Sequence, residues 1–173
     1  MEGLTLSPQF IMSEAKFTKD LEHATLVVER VFDAPVASVW EAHTKSELLE
    51  QWWAPKPWKA VTVEMDFREG GRWFYYMLGP DGERHYCIQT YDGIVAGQST
   101  VGDDYFCDEV GVKKTDMPVS RWKTELFAEG TGTKLVSTVT YATRAELETV
   151  LAMGMEAGYA MGLSQLEALL KQA

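Results

Sequence analysis

Residues 31–58 decide the fold and read VFDAPVASVWEAHTKSELLEQWWAPKPW. They begin at the end of ATLVVERVF (24–32), whose β-branched residues predict a strand. Pro35 suits the first position of a helix, where a missing N–H costs nothing. Apolar residues then recur at helical spacing as far as His43. Residues 44–47 have the spacing of a capping box, which predicts a second short helix directly after the first.

Three of the chain's six tryptophans lie at the end of this second helix and just beyond it. Trp52 and Trp53 are adjacent, so their side chains point in different directions and one packed core does not readily absorb both from one side. The helix must end near Trp53, because Pro55 disfavours a helical residue before it. Pro55 and Pro57 then stiffen the connection to Trp58 and fix the directions of the rings.

The chain after residue 58 predicts about six antiparallel strands followed by one long helix. Alternating side chains mark the strands at residues 61–67, 72–77, 85–95, 98–107, 120–126 and 135–141. The strand at 98–107 is expected to be weak and frayed, because Gly97, Gly102 and a double aspartate interrupt it. Thr143 can cap the helix, which is expected to run to about Leu170. This order predicts an α+β fold in which the long helix lies on one face of a single curved sheet.

The composition excludes several classes of function. The chain has 173 residues and a net charge of −10, and an acidic protein repels nucleic-acid backbones and anionic lipid. The sequence has neither a run of about 18 apolar residues that would span a membrane nor a secretion signal. Cys87 and Cys107 are too few for a disulfide framework, so we expect a cytoplasmic protein with reduced thiols. We expect one domain at 23–173, preceded by an extension at 1–22 with little fixed structure.

Three separated segments resemble the activator of heat-shock protein 90 ATPase homologue-like (AHSA-like) family of the START-like or SRPBCC superfamily. They are residues 31–58, REGGRWFYYMLGPDGE at 68–83 and LAMGMEAGYAMGLSQLEALL at 151–170, in the family's order. The resemblance covers roughly residues 24–171. It implies a helix-grip (START-like, Bet v-like) fold: a curved antiparallel sheet wrapped around a long C-terminal helix, two short helices after the first strand, and an internal cavity. The family usually has glycine where Ala54 stands here.

The implied cavity would bind an apolar or aromatic small molecule between the sheet and the C-terminal helix. One of Trp52 and Trp53 can then point into the core and the other toward the cavity entrance, while Trp58 covers the sheet edge. The alternative is that all three rings only seal the end of the sheet. The candidate ligand-binding residues are Trp53, Trp73, Tyr75, Met77, Trp122, Met155, Gly158, Tyr159 and Gln165.

Three glycines in the last helix leave two explanations open. Gly154, Gly158 and Gly162 recur every four residues and fall on one stripe, which we predict to be buried and to include Met161. Either they allow close approach of helix to sheet, or their missing side chains help to leave a cavity open beneath the helix. In the second case Gln165, on the same stripe, would offer a polar contact inside the cavity.

The sequence identifies no catalytic set. His85 and Cys87 share a predicted strand face and are, with Cys107, candidates for a metal site, but no pair has the usual ligand spacing. A buried free cysteine more often behaves as a small hydrophobe. No G-x-S-x-G motif is present, and the glycine pairs lie in hairpin turns rather than in a phosphate loop. We therefore expect no metal and no cofactor.

Three functions stay open at this point. The leading hypothesis is binding of a hydrophobic small molecule. The second is a cavity-based enzyme of cyclase or hydrolase type that uses tyrosine and water. The third is a chaperone accessory protein related to the heat-shock protein 90 ATPase activator. The identity of the ligand and the oligomeric state are left open.

The chaperone hypothesis is the least favoured, and we expect no stimulation of the heat-shock protein 90 ATPase. The co-chaperone for which the family is named has a second domain, and the residues before 24 are too few to form it. The test is the rate of ATP hydrolysis with and without the purified protein. A several-fold increase would contradict the expectation and put the chaperone function first.

Overall fold

The computed structural model describes residues 14–172. Its strands are β1 (Lys16–Asp20), β2 (Thr25–Phe32), β3 (Lys59–Met65), β4 (Arg72–Leu78), β5 (Arg84–Thr90), β6 (Gly93–Val95), β7 (Ser99–Cys107), β8 (Ser120–Glu129) and β9 (Gly132–Thr140). Its helices are α1 (Val36–Thr44), α2 (Ser46–Trp52), α3 (Arg144–Ala152) and α4 (Met155–Leu170). The nine strands form one antiparallel sheet in the order β1-β2-β9-β8-β7-β5-β4-β3, with β6 paired to β7.

The curved sheet wraps around α4 and buries one face against it. Side chains alternate between buried and partly exposed along β2 and β9, because successive residues of a strand point to opposite faces. Leu26 and Val28 of β2 and Leu135 and Val139 of β9 are fully buried on the inner, concave face. The predicted α+β helix-grip fold is confirmed.

The two short helices after β2 are also confirmed. α1 begins directly after Pro35, whose backbone is extended. α2 ends at Trp52, as the prolines that follow it predicted. The predicted capping box does not form, because the residue that precedes α2 is Lys45 and its side chain makes no capping hydrogen bond.

The region predicted as an N-terminal extension contributes a strand. β1 pairs along β2, with Phe17 opposite Val28, and the Phe17 side chain packs partly buried against the core. The segment KFTKD is short and mostly polar, so its own pattern gave no strand signal. Residues 1–13 of the predicted extension lie outside the described residues.

β7, predicted to be weak and frayed, is a regular strand of nine residues. It pairs with β8 on one side and with β5 and then β6 on the other. Gly102 lies where the partner changes from β5 to β6, and a Cβ there would lie 1.7 Å from the carbonyl oxygen of Thr90. The glycine thus permits a close approach of two backbones, and it does not interrupt the strand.

The predicted single C-terminal helix is two helices, α3 and α4, separated by Met153 and Gly154. Gly154 has φ of +87°, which ends helical continuity and is a conformation that glycine adopts without strain. Gly154 is exposed, and Met161 is 47% exposed, so neither lies on the buried stripe where the spacing placed them. Gly162 is buried, and a Cβ there would lie 3.2 Å from the Trp52 carbonyl oxygen.

An ion pair between the buried Arg30 and the partly exposed Glu167 joins the sheet to α4. Arg30 lies on the concave face of β2 and is 3% exposed. Its guanidinium donates hydrogen bonds to Glu167 at 2.6 Å and to Ser164 Oγ at 3.3 Å. A buried charge is costly unless it is paired, so this contact restricts where the C-terminal half of α4 can lie on the sheet.

Replacing Glu167 by alanine is expected to lower the free energy of unfolding by about 3 kcal/mol, because it leaves the Arg30 charge buried without its partner. Urea unfolding measures the change. The control is the double variant Arg30→Met with Glu167→Leu, which removes both charges and should lose less than Glu167→Ala alone. Equal losses in the two variants would show that burial of an unpaired charge is not the cause.

Candidate functional site

A cavity of about 310 Å³ lies between the sheet and the α3–α4 segment. Ligand pockets in proteins span roughly 300–1,000 Å³, so the volume suits a small molecule of a few rings. The sheet supplies Tyr75, Met77, Cys87, Asp104, Phe106, Ser120 and Trp122. The α3–α4 segment supplies Val150, Met153, Gly154, Met155, Gly158 and Tyr159, and connecting segments supply Trp53, Pro55, Pro118 and Tyr141.

The adjacent tryptophans at the end of α2 serve different regions. The Trp52 ring is fully buried in the core, and its Nε1 donates to the carbonyl oxygen of Ala42 at 2.8 Å. The Trp53 ring lines the cavity. Trp58 packs beside the exposed His85 of β5, with 5.3 Å between the ring centroids. The structure thus gives the arrangement with one ring in the core and one at the cavity.

Trp53, Trp122 and Tyr159 form one continuous aromatic wall. Their ring centroids lie 5.2–6.2 Å apart in edge-on arrangements, which aromatic pairs favour. Trp122 Nε1 donates to Ser120 Oγ at 2.9 Å, and the Tyr159 hydroxyl shares a hydrogen bond with Ser137 Oγ at 2.8 Å. Because these polar atoms already have protein partners, the wall offers a ligand mainly apolar ring surface.

Asp104 introduces a carboxyl group into this apolar wall. It lies on β7 directly opposite Gln89 of β5 and Ser120 of β8. Its side chain lies on the face of the sheet that lines the cavity, as that of Ser120 does. Tyr75 donates its hydroxyl hydrogen to Asp104 Oδ2 at 3.2 Å and accepts a hydrogen bond from Trp53 Nε1 at 3.0 Å.

Burial is the main influence on the pKa values of Asp104 and Tyr75. It raises the pKa of Asp104 to about 7, against the hydrogen bond from Tyr75, which lowers it. Burial, followed by the nearby Asp104 charge, raises the pKa of Tyr75 well above its ordinary value. Near neutral pH the cluster therefore holds an aspartate that can gain or lose a proton and a tyrosine that stays neutral.

The two cysteines lie on opposite faces of the sheet. Cys87 pairs with Phe106 and lines the cavity, whereas Cys107 pairs with Tyr86 and packs in a small cluster on the outer face. Burial raises the pKa of the Cys87 thiol far above its ordinary value, which disfavours a thiolate nucleophile. Within residues 14–172, no three His, Cys, Asp or Glu side chains converge in a metal-binding arrangement.

The structure brings seven of the nine candidate ligand-binding residues to the cavity: Trp53, Tyr75, Met77, Trp122, Met155, Gly158 and Tyr159. Trp73 is fully buried behind the wall, where its ring stacks on Tyr75 at 3.9 Å. Its Nε1 donates to Thr62 Oγ1, so it supports the wall and does not line it.

The expectation that Gln165 offers a polar contact inside the cavity is wrong, because Gln165 is not among the lining residues. Its amide nitrogen donates to the carbonyl oxygens of Trp52 and Ala54, and its amide oxygen accepts from the backbone N–H of Lys56. All its hydrogen bonds therefore go to the chain that leaves α2. The residue attaches α4 to this segment, which places Trp53 at the cavity.

Asp104 is the main lining residue that sequence reasoning missed. The double aspartate was interpreted as an interruption of the strand, but the two residues alternate as strand residues do. Asp103 points outward and pairs with Arg121 at 3.0 Å, whereas Asp104 points inward. Because Gly102, Asp104 and Phe106 alternate along β7, the sequence indicated that they share one face of the sheet. Only the pairing of β7 with β5 and β8 shows that this face is the inner one.

The comparisons with known proteins agree with this geometry. The family model described as Activator of Hsp90 ATPase homolog 1-like protein matches residues 33–171. The chain belongs to this family. Proteins of the family and its SRPBCC superfamily generally have a ligand-binding cavity. No curated protein matches the chain. No helix in residues 14–172 is long and apolar enough to cross a membrane.

Solved structures extend the comparison to most of this family member's length. A crystal structure from Mycobacterium smegmatis is 34% identical, covers 90% of this chain and 95% of its own, and has a TM-score of 0.83. A solution structure from Arthrobacter aurescens is 29% identical with coverages of 91% and 92% and a TM-score of 0.86. One from Staphylococcus epidermidis is 30% identical with coverages of 91% and 94% and a TM-score of 0.81.

Asp104 predicts a pH dependence of stability. Its folded-state pKa of about 7 lies above the ordinary value of 3.8 that we assign to the unfolded chain. The folded protein therefore keeps a proton that the unfolded chain releases, and this contribution to stability is complete below pH 3.8 and lost as the pH rises through 7. Asparagine has no such titration.

The free energy of unfolding of Asp104→Asn, minus that of the unchanged protein, is thus expected to increase by up to about 4 kcal/mol between about pH 4 and about pH 8. Urea unfolding across this range measures the difference. Asp103→Asn, which replaces the neighbouring carboxyl group on the outer face, is the matched control for the substitution itself. A difference for Asp104→Asn that does not change with pH would contradict a raised pKa.

Proposed function

We propose that this family member binds an apolar or aromatic small molecule in the cavity between the sheet and the α3–α4 segment. The observation that carries the proposal is the aromatic wall of Trp53, Trp122 and Tyr159, whose polar atoms are already hydrogen-bonded within the protein. A pocket of this kind gains affinity from the burial of apolar ligand surface, at about 25 cal/mol per Å².

The backbone above the cavity supports the same proposal. Gly158 lies on α4 and lines the cavity, and a Cβ built there would contact only Pro55, at 3.8 Å. The absence of a side chain thus leaves space and is not required by a close backbone contact. Gly154, directly before α4, likewise has open space around its Cβ position.

Asp104 and Tyr75 support an acid–base enzyme as the second candidate function. A carboxyl group with a pKa of about 7 beside a neutral tyrosine is able to exchange protons near physiological pH. Native mass spectrometry of the purified protein, followed by release of any bound molecule, separates the two functions. A ligand recovered with unchanged mass after incubation supports binding, and conversion of that ligand supports the enzyme.

Gly158→Leu is expected to abolish binding of a neutral apolar dye such as Nile red while leaving the protein folded, because the leucine side chain enters the cavity. Dye fluorescence and circular dichroism measure the two properties. Gly158→Ala is the matched control, and it should fold at least as well as the unchanged protein and keep most of the dye binding.

Two outcomes would contradict this expectation. Loss of folding in Gly158→Leu would mean that Gly158 serves close packing, as Gly162 does. A folded variant with unchanged dye binding would place the ligand site elsewhere.

A further inference from the structure

The cavity is asymmetric in charge. Its described lining residues include one acidic side chain, Asp104, and no lysine, arginine or histidine. A ligand that enters the cavity therefore meets one carboxyl group and no cationic side chain among the described lining residues. This asymmetry disfavours ligands with a carboxylate of their own, because two carboxylates in one low-dielectric site repel each other.

Asp104 also has unused capacity to accept hydrogen bonds. An ionised carboxyl accepts about four, and the structure gives the Asp104 side chain one from the described residues, the hydroxyl of Tyr75 to Oδ2. Ser120 donates to the backbone carbonyl of Asp104 and so does not satisfy the side chain. The other oxygen, Oδ1, accepts no hydrogen bond from the described residues, and Asp104 is one of the residues that line the cavity.

The other side-chain oxygens that line the cavity are neutral hydroxyls, which are weaker acceptors than a carboxylate: those of Tyr75, Ser120, Tyr141 and Tyr159. The indole N–H groups of Trp53 and Trp122 and the Tyr75 hydroxyl all donate to protein oxygens. The thiol of Cys87 is a weak acceptor. A donor group on a ligand therefore finds its best partner in the carboxyl of Asp104.

We propose that Asp104 accepts a hydrogen bond from the ligand and so selects apolar or aromatic molecules that carry a hydroxyl or protonated amine over those that carry a carboxylate. This inference rests on the proposed binding function and specifies the chemical class of its ligand. The apolar body of the ligand packs against the aromatic wall, and its single donor group points toward β7.

The test compares four probes with the same two-ring body: naphthalene, 1-naphthol, 1-naphthylmethylamine and 1-naphthoate. Each competes with Nile red for the unchanged protein at about pH 8, above the pKa of about 7 of Asp104, so that its carboxyl group is mostly ionised. The naphthol and the amine are expected to compete about tenfold or more better than naphthalene, as one hydrogen bond to a carboxyl group predicts, and the naphthoate should be the weakest. The amine arm tests a cationic donor and the naphthol arm a neutral one.

Asp104→Asn tests the assignment to this residue. The amide loses the negative charge and gains an N–H donor, so the amine should lose about tenfold in affinity while the naphthoate gains. A general structural effect would shift all four probes in the same direction. Asp103→Asn is the matched control, since it removes the same charge from the outer face, and it should leave the ranking unchanged.

The outcomes separate this inference from the binding function itself. If Nile red binds and Gly158→Leu blocks it, but naphthalene or the naphthoate competes as well as the naphthol and the amine, the role of Asp104 is overturned and the binding function stands. If neither the dye nor any probe binds, both are overturned. If Asp104→Asn does not fold, the ranking of the four probes on the unchanged protein decides.

Discussion

The cavity depends on how the side-chain amide of Gln165 holds α4 against the end of α2. One side chain makes three hydrogen bonds to consecutive parts of the backbone at Trp52, Ala54 and Lys56. Gly162, one turn earlier in α4, lets the helix approach the carbonyl oxygen of Trp52 closely. The C-terminal half of α4 is thus held against the end of α2, whereas the half that begins at Met155 lies over the cavity. Gly162 thus fits the explanation of close approach, whereas the space beside Gly158 is what the explanation of an open cavity expects.

Two partly buried titrating groups act on stability in opposite directions. Burial raises the pKa of Asp104 to about 7, so the folded state gains relative stability as the pH falls from neutral. Burial lowers the pKa of His43 to about 4, against its hydrogen bond to the Val39 carbonyl, so below about pH 6.5 the unfolded chain takes up a proton that the folded state does not. The two contributions overlap between about pH 4 and about pH 6.5 and partly cancel. If the free energy of unfolding of the unchanged protein changes little with pH, the opposite contributions of Asp104 and His43 would explain it.

The sequence predicted the parts of the structure that local patterns determine. Residues 31–58 gave both short helices and the divergence of Trp52 and Trp53, because helix spacing and prolines act over a few residues. Alternation along the strands predicted that Tyr75 and Trp122 point inward, because this pattern also depends only on nearby residues. The break at Gly154 was missed, since a glycine within a helical pattern has the same sequence signal whether the helix continues or ends. Asp104 was missed because its burial depends on strands distant in the chain, and Gln165 was misplaced because its partners lie on the segment after α2.

The stability cost of Asp104 and its proposed recognition of a ligand have the same physical origin. An aspartate on a surface strand would be hydrated and would titrate near its ordinary value, but this one lies in an aromatic cavity and receives one side-chain hydrogen bond from the described residues. Burial raises its pKa and destabilises the folded protein near neutral pH, and the single hydrogen bond from Tyr75 only partly offsets this effect. A ligand that supplies the missing donor removes part of that cost, so its affinity includes a contribution that an unsubstituted apolar molecule does not have. Because β7 is paired on both sides around Asp104, the carboxyl is positioned before the ligand arrives, and little ordering entropy is lost on binding.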